Sequence, residues 1–364
     1  LSNLTLRLMR QNVASGVSLG RERFSVGLET NRERAFNNMQ QKLKVVVALT
    51  EREKDFQDFS EAISSSPQLM NRFGLIRSQN KEHLKELLQE TDILISFSIT
   101  PENFQRAKNL KWIHLAVAGV DESIFPELLK SKVIITACKG IHSHTISEHI
   151  LGMILAFAKG LHLSTLRQIR KNWAFNEVMK QRFELKGKTL GIIGLGGIGL
   201  ELARKSKCLG MQVIGMKNRL KKGEKIRSVD RIIPKEKLPE LLSLSDFVAL
   251  TLPLTDETFH LIGEKELAQM KNSAYLINTS RGKIIDEKAL VDALENKRIA
   301  GAGLDVFEEE PLSPNSKLYD LENVIITPHV AGTMTDYFQK VARIFKENLK
   351  RYLSGRKMIN MVDK

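Results

Sequence analysis

The sequence predicts an α/β protein built on two parallel sheets, and three observations carry that prediction. Short apolar runs of strand length alternate with helical stretches along most of the chain. A glycine-rich turn, Gly194-Leu195-Gly196-Gly197-Ile198-Gly199, joins one such run to an amphipathic stretch. At 364 residues with 42% hydrophobic content, the chain can bury two cores of ordinary size.

In chain order, residues 1–41 hold six arginines, no lysine and no proline, and composition turns lysine-rich at Lys42-Leu43-Lys44-Val45-Val46-Val47. That shift marks a boundary. The leader reads as a transit-like segment, against which Glu22, Glu29 and Glu33 count, or as a disordered extension or a stretch upstream of the natural start, since residue 1 is leucine. No apolar core supports a secretory signal. From 42 to 145, strands are expected at 44–49, 93–97, 112–117 and 133–137 with a helix at 81–88, forming the smaller α/β unit. A helix at 146–161 then leads into a second unit, 146–329, with strands near Val213, Phe247, Ala274, Ala302 and Val324. Val341, Ile344, Phe345, Leu349 and Leu353 recur at helical spacing, so residues 330–364 return to complete the first unit through a helix with a basic outer face.

The glycine turn follows the apolar run 189–193 and opens the helical stretch 198–209, closed by Gly210. In a dinucleotide fingerprint the first glycine (Gly194) allows the tight turn and the second (Gly196) lets backbone approach a pyrophosphate. The third (Gly199) packs helix on strand, with phosphate at the helix amino end formed by Gly197 and Ile198. After the next strand, 212–216, NAD would favour an acid for the ribose hydroxyls. Lys217, Asn218 and Arg219 stand there instead, with Lys221 and Lys222 beyond. Cations at that edge would bind the extra phosphate of NADP(H), so NADP(H) is favoured over NAD(H). The alternative is a solvated basic loop.

Downstream lie three polar residues whose chemistries fit together: Arg281 in Asn-Thr-Ser-Arg-Gly, Glu310 before Pro311, and His329 in Thr-Pro-His-Val-Ala-Gly. A guanidinium holds a carboxylate with parallel hydrogen bonds, an imidazole exchanges a proton near neutral pH, and a carboxylate orients that imidazole. This is equipment for interconverting a 2-keto acid and a 2-hydroxy acid. Arg281 and His329 each follow an apolar run, 274–277 and 323–327, as ligand-binding residues do at the carboxyl ends of parallel strands.

From 42 to 357 the chain resembles the D-isomer-specific 2-hydroxyacid dehydrogenase family, which includes phosphoglycerate, glyoxylate and hydroxypyruvate reductases acting on D-acids. The resemblance rests on Gly187-Lys188-Thr189-Leu190-Gly191-Ile192-Ile193-Gly194, Leu252-Pro253-Leu254-Thr255, Asn278-Thr279-Ser280-Arg281-Gly282, Gly303-Leu304-Asp305-Val306-Phe307 and Pro328-His329. It implies a Rossmann-type doubly wound parallel-sheet domain plus a smaller flavodoxin-like α/β substrate domain. It further implies that Arg281 anchors the substrate carboxylate and that Glu310 and His329 form the proton-transfer unit. Asp305 would meet the nicotinamide end, while Leu252, Pro253, Thr279, Arg281 and the segment from His329 to Gly332 line the cofactor cleft. The loop Val117-Ala118-Gly119-Val120-Asp121 would turn its amides toward the substrate carboxylate, and a homodimer is implied as well.

Two other readings follow from the same residues. One is a phosphoglycerate dehydrogenase of serine synthesis in a short form, and the other a dinucleotide-sensing binding protein whose turnover is incidental. Lysine and arginine number 56 against 42 acids, a formal charge of +14, but no aromatic–basic recognition motif accompanies them, so no nucleic-acid partner is expected. The apolar stretch at 150–158 ends at Lys159, far short of a bilayer span, so no membrane partner is expected either. Cys138 and Cys208 give no disulfide framework, which fits a reducing cytoplasm. His142, His144 and His149 lack companion ligands apart from Glu148, so no metal is expected and they read as domain-linking surface.

Overall fold

The computed structural model describes residues 42–362 apart from 65–68, 70, 121–122 and 219–224. The leader, Asp121, Arg219, Lys221 and Lys222 therefore lie outside the described residues.

The first apolar runs become a parallel five-stranded sheet: β1 (Leu43–Ala48), β2 (Phe73–Arg77), β3 (Ile93–Ser96), β4 (Trp112–Leu115) and β5 (Ile134–Ala137). Its order is β2-β1-β3-β4-β5, the flavodoxin-like order. The second sheet is parallel and seven-stranded: β6 (Thr189–Ile193), β7 (Gln212–Met216), β8 (Arg231–Ile233), β9 (Phe247–Leu250), β10 (Tyr275–Asn278), β11 (Gly301–Leu304) and β12 (Val324–Ile326). Its order, β12-β11-β10-β9-β6-β7-β8, contains the Rossmann arrangement, with the direction of winding reversing between β6 and β9. Sheets covered on both faces need strands apolar on both faces. All four residues of β3, β4, β9 and β11 are accordingly buried.

Helices supply the covering layers. Helix Ser143–Ala158 buries Ile150, Met153, Ile154 and Phe157 in one apolar cluster with Leu190, Ile192, Phe247 and Ile277 of the larger sheet. Helix Tyr337–Leu353 buries Val341, Ala342, Phe345 and Leu349 with Val45, Val47, Ile93 and Trp112 of the smaller sheet. The chain thus crosses back to its first sheet after β12.

Several elements depart from expectation. Strands β2 and β8 and helix Glu53–Ser64 had no strong sequence signal, because β2 is mostly half-buried and β8 has three residues and starts on an exposed arginine. The long helix begins at Ser143 and ends at Ala158, since Gly160 turns the backbone to φ 64°. A second helix, Leu161–Ile169, then leaves at 70° to the first. Among the described residues no single helix is long and apolar enough to cross a membrane. The histidines are corrected too. His144 is exposed between Glu148 and Glu201. His142 and His149 are half-buried and turn inward, to Gly332 O (3.1 Å) and Thr327 Oγ1 (3.0 Å), because they lie on the face of the helix that meets the segment after β12.

Candidate active site

The glycine turn sits where β6 ends, at the reversal point of the larger sheet. Gly194 has φ 109°, and a Cβ there would lie 2.7 Å from Thr251 O, so glycine is required on both counts. At Gly199 a Cβ would lie 2.2 Å from Gly194 O, which leaves room only for hydrogen between helix and turn. Thr251 Oγ1 donates to Gly194 O at 2.6 Å and fixes the turn to the loop after β9. Gly196 faces open space, and the helix Gly197–Cys208 begins beside it, so the backbone of the turn lines a cradle at a positive helix end. Gly197 and Ile198 form the first turn of that helix.

Other predicted cofactor residues follow the carboxyl ends of β7, β9 and β10 in the same sheet. Leu252 approaches Gly194, with its Cβ 3.1 Å from the position a Gly194 Cβ would take, and Pro253 is exposed next to it. Lys217 follows β7 directly, its N–H donating to Ile233 O at 3.1 Å, and Asn218 is exposed beyond it. Thr279 is buried with no hydrogen-bond partner for its hydroxyl among the described residues. An orphan buried hydroxyl is costly without a partner. Together, the cradle and the orphan hydroxyl fit a bound dinucleotide.

Arg281 comes off β10 through a turn closed by Asn278, a residue whose role the sequence did not single out. The Asn278 amide is fully buried, accepts from Ser280 N (3.0 Å) and donates to Arg281 O (2.9 Å). Ser280 Oγ donates across to Leu250 O at 2.7 Å, and Arg281 Nη1 donates to Ser280 O at 2.8 Å. At Gly282 a Cβ would fall 1.8 Å from the Phe307 carbonyl carbon, so the Arg281 turn lies directly on the backbone leading to the acid run 308–310. Glu310 Oε1 accepts from Phe307 N at 3.1 Å, which brings its carboxylate back beside that turn.

Glu310 Oε2 bonds His329 Nδ1 at 2.6 Å. An ionised carboxylate only accepts, so the Nδ1 proton belongs to this bond and Nε2 stands outside it. The imidazole is about half exposed (53%) and stands in the left-handed region at φ 52°, an uncommon backbone for a side chain larger than glycine. What holds it there is Asp305. Its carbonyl accepts from His329 N (2.9 Å), and its carboxylate, 1% exposed, accepts from Val330 N and Ala331 N (both 2.9 Å) and Thr327 Oγ1 (2.5 Å). Both Asp305 oxygens are therefore occupied by the loop that carries His329. Gly332, the last residue of that segment, accepts from His142. Burial of the His142 ring pushes its pKa below the ordinary histidine value, the Gly332 carbonyl opposing and Lys340 adding to the shift.

The loop after β4 begins at Ala116, whose carbonyl accepts the Tyr337 hydroxyl, and Val117 O accepts from Cys138 N at 2.9 Å. Val117 and Ala118 are half-buried and Gly119 is exposed. Tyr337 opens the final helix only five residues after Gly332, so the loop after β4 and the His329 segment are tethered through one phenol. Burial raises the Tyr337 pKa well above the usual tyrosine value, which keeps it a donor. The sequence contained a signal for Asn278 and Thr327, inside the quoted motifs, but none for Tyr337.

Comparison with known proteins agrees with this geometry. A family profile described as "D-isomer specific 2-hydroxyacid dehydrogenase, NAD binding domain" matches residues 151–331. The glyoxylate reductase of Korarchaeum cryptofilum is 36% identical over 291 residues, 78% of this chain and 86% of that protein. The D-3-phosphoglycerate dehydrogenase of Methanocaldococcus jannaschii is also 36% identical, over 78% of this chain but 54% of the longer relative. Among solved structures, the NADPH-dependent glyoxylate/hydroxypyruvate reductase of Sinorhizobium meliloti in complex with NADP and sulfate superposes with a TM-score of 0.74 at 25% identity, covering 88% of this chain and 98% of that one. The chain belongs to the D-isomer-specific 2-hydroxyacid dehydrogenase family, and is an NAD(P)-dependent oxidoreductase acting on the CH–OH group of a hydroxy acid.

Proposed function

We propose that this enzyme reduces a small unphosphorylated 2-keto acid of the glyoxylate or hydroxypyruvate kind to the D-2-hydroxy acid, with NADPH as the preferred reductant. The single observation that carries the reading is the His329–Glu310 bond of 2.6 Å, formed beside the Arg281 turn at the carboxyl edge of the larger sheet. The named activities of the relatives support the substrate class.

The residues divide the work by charge. Arg281 binds the substrate carboxylate by charge-assisted hydrogen bonds and stabilises charge growing on the neighbouring oxygen, with the amides of Val117, Ala118 and Gly119 completing the carboxylate site. The reduced nicotinamide, when bound, supplies the hydride. His329 gives the proton from Nε2 to the developing alkoxide, and Glu310 balances the positive ring and holds its orientation through Nδ1. In the oxidative direction the neutral ring takes the proton back at Nε2. The cradle from Gly194 to Gly199 holds the pyrophosphate at the helix end, Thr279 offers its orphan hydroxyl to the dinucleotide, and Leu252 and Pro253 flank it.

Lys217 stands where an acid would repel a 2′-phosphate, which supports NADPH. The two sheets, and the helix that returns to the first, support a dinucleotide-binding domain at 146–329 and a substrate domain at 42–145 completed by 330–364. The arm after the long helix exposes Leu161, Ile169, Trp173, Phe175 and Met179, and this supports a homodimer joined through it. Two cysteines, one buried and neither disulfide-bonded, fit a cytoplasmic setting.

The test is a panel of 2-keto acids run with NADH and NADPH side by side. Glyoxylate or hydroxypyruvate should give the highest kcat/KM, with NADPH ahead. Lys217→Asp combined with Arg219→Ala removes two cations, each charged contact worth ~1.5–3 kcal/mol, and should cost NADPH at least about tenfold in kcat/KM relative to NADH. A parent that prefers NADH, or a variant with an unchanged ratio, would return Lys217 and Arg219 to the status of a solvated loop.

A further inference from the structure

His149 lies on the long helix 143–158, outside the predicted catalytic set, yet its ring reaches the loop that carries His329. Its Nε2 is 3.0 Å from Thr327 Oγ1 and 3.8 Å from Asp305 Oδ1. The proton directions in this cluster are fixed by counting. Thr327 has one hydroxyl proton, and the 2.5 Å bond to the acceptor-only Asp305 carboxylate uses it. At His149 the same hydroxyl oxygen must therefore accept. The proton between them sits on His149 Nε2.

From this we infer that His149 is a positioning residue: as an Nε2–H donor it aims the Thr327 hydroxyl at Asp305 and so clamps the loop that presents His329. The inference rests on the function proposed above. Asp305 carries a buried charge that also receives Val330 N and Ala331 N, the two amides directly after His329. Because His329 holds a left-handed backbone, its geometry depends on donors on either side of it staying in place. Remove the Nε2–H and the Thr327 hydroxyl is free to rotate toward other acceptors, and the carboxylate loses a donor in a low-dielectric site. The consequence falls on proton transfer by His329 and not on capture of the keto acid, since the His149 ring acts on Thr327 and Asp305, which hold the His329 loop.

His149→Leu should lower kcat about tenfold with KM for the keto acid within about twofold, and should speed hydrogen exchange of the Val330 and Ala331 amides about tenfold. His149→Gln, whose amide can donate to Thr327, should recover kcat to within about threefold of the parent. Thr327→Val keeps the imidazole in place and should reproduce the leucine phenotype if the leucine variant fails to fold. Nitrogen NMR of the parent should place the His149 ring proton on Nε2. A ring protonated only at Nδ1, loop amides that exchange at the parent rate in His149→Leu and Thr327→Val, or a glutamine variant no better than leucine would each overturn the clamp. A parent that turned over no 2-keto acid would sink the proposed function, while the ring proton and the amide exchange would still decide the clamp.

Discussion

His329 bonds Glu310 at 2.6 Å and His260 bonds Glu308 at 2.7 Å, so two nearly equal histidine–carboxylate pairs hang from one short acid run. Their surroundings differ. Glu308 Oε1 also accepts from Glu287 N (3.3 Å), and Glu308 N donates to Glu287 Oε2 (3.2 Å), tying the acid run to the start of helix Glu287–Glu295. His260 is stacked on Phe259 at 4.0 Å between centroids, and its backbone N–H is spent on Lys283 O. That pair staples three segments together. The His329 pair instead follows the end of a parallel strand and leaves Nε2 outside the bond to Glu310, as the proposed proton transfer requires. A short histidine–carboxylate bond is therefore no mark of catalysis by itself; what separates the pairs is the strand end before His329 and the Asp305 carboxylate that gathers the amides after it.

The largest expected effect breaks the two pairs apart. His329→Ala should lower kcat by roughly 10²-fold or more while dinucleotide binding stays near the parent value, because proton transfer alone is lost. His260→Ala should leave kcat within about threefold and instead cost on the order of 1 kcal/mol of stability, the net worth of an ordinary hydrogen bond. Steady-state kinetics and denaturant titration of both variants measure this directly. Equal losses of turnover in the two would erase the distinction.

A smaller effect sharpens it. Glu310→Gln keeps the shape of the bond to His329 Nδ1 but removes its charge assistance, and a loss of about 1.4 kcal/mol at the transition state corresponds to tenfold in rate. Reduction should suffer more than oxidation, since only reduction starts from the charged ring. Glu308→Gln should leave both directions unchanged. Comparing kcat in the two directions for each variant is the measurement, and a symmetric loss in Glu310→Gln would assign the carboxylate a purely steric role.

Much of this was legible in the sequence because parallel strands leave continuous apolar runs and turn glycines leave gaps where no side chain fits. The strand 189–193, the glycine turn and the strand 212–216 were readable to the residue, since each carries its own steric reason. Arg281 and His329 stood out by their places after apolar runs, whereas Glu310 alone read as one of three surface acids. Which acid of 308–310 meets His329 came from the resemblance, because three adjacent glutamates look alike until the backbone fixes which one turns back to Phe307 N. The contacts of His149 and Asp305 with Thr327 were not legible, although the resemblance had placed Asp305 at the nicotinamide end. A helical histidine reads as surface, and only the return of the chain after β12 places Thr327 against it. Likewise β2 and β8 escaped because neither has the apolar run that full burial imposes.

The smallest expected effect concerns the charge that the stapling pair tolerates. Burial raises the pKa of Glu287, the Glu308 N–H opposes the shift, and the charges of Glu308 and Glu309 add to it. A carboxyl whose folded pKa lies above its unfolded value binds protons more readily in the fold. Its contribution is therefore fully present below the unfolded pKa, about 4.3, and is lost as pH rises through the raised folded value. At pH 7 the ionised Glu287 works against the fold. Glu287→Gln keeps an oxygen to accept from Glu308 N while removing the charge, so it should raise the Tm at pH 7, and the gain should shrink to nothing as the pH is brought down to 4. Turnover should not follow, because the strain belongs to the His260 side of the acid run. A variant whose gain was the same at both pH values would show that the benefit comes from packing, and one that changed kcat would show that the two pairs share a mechanical connection through Glu309.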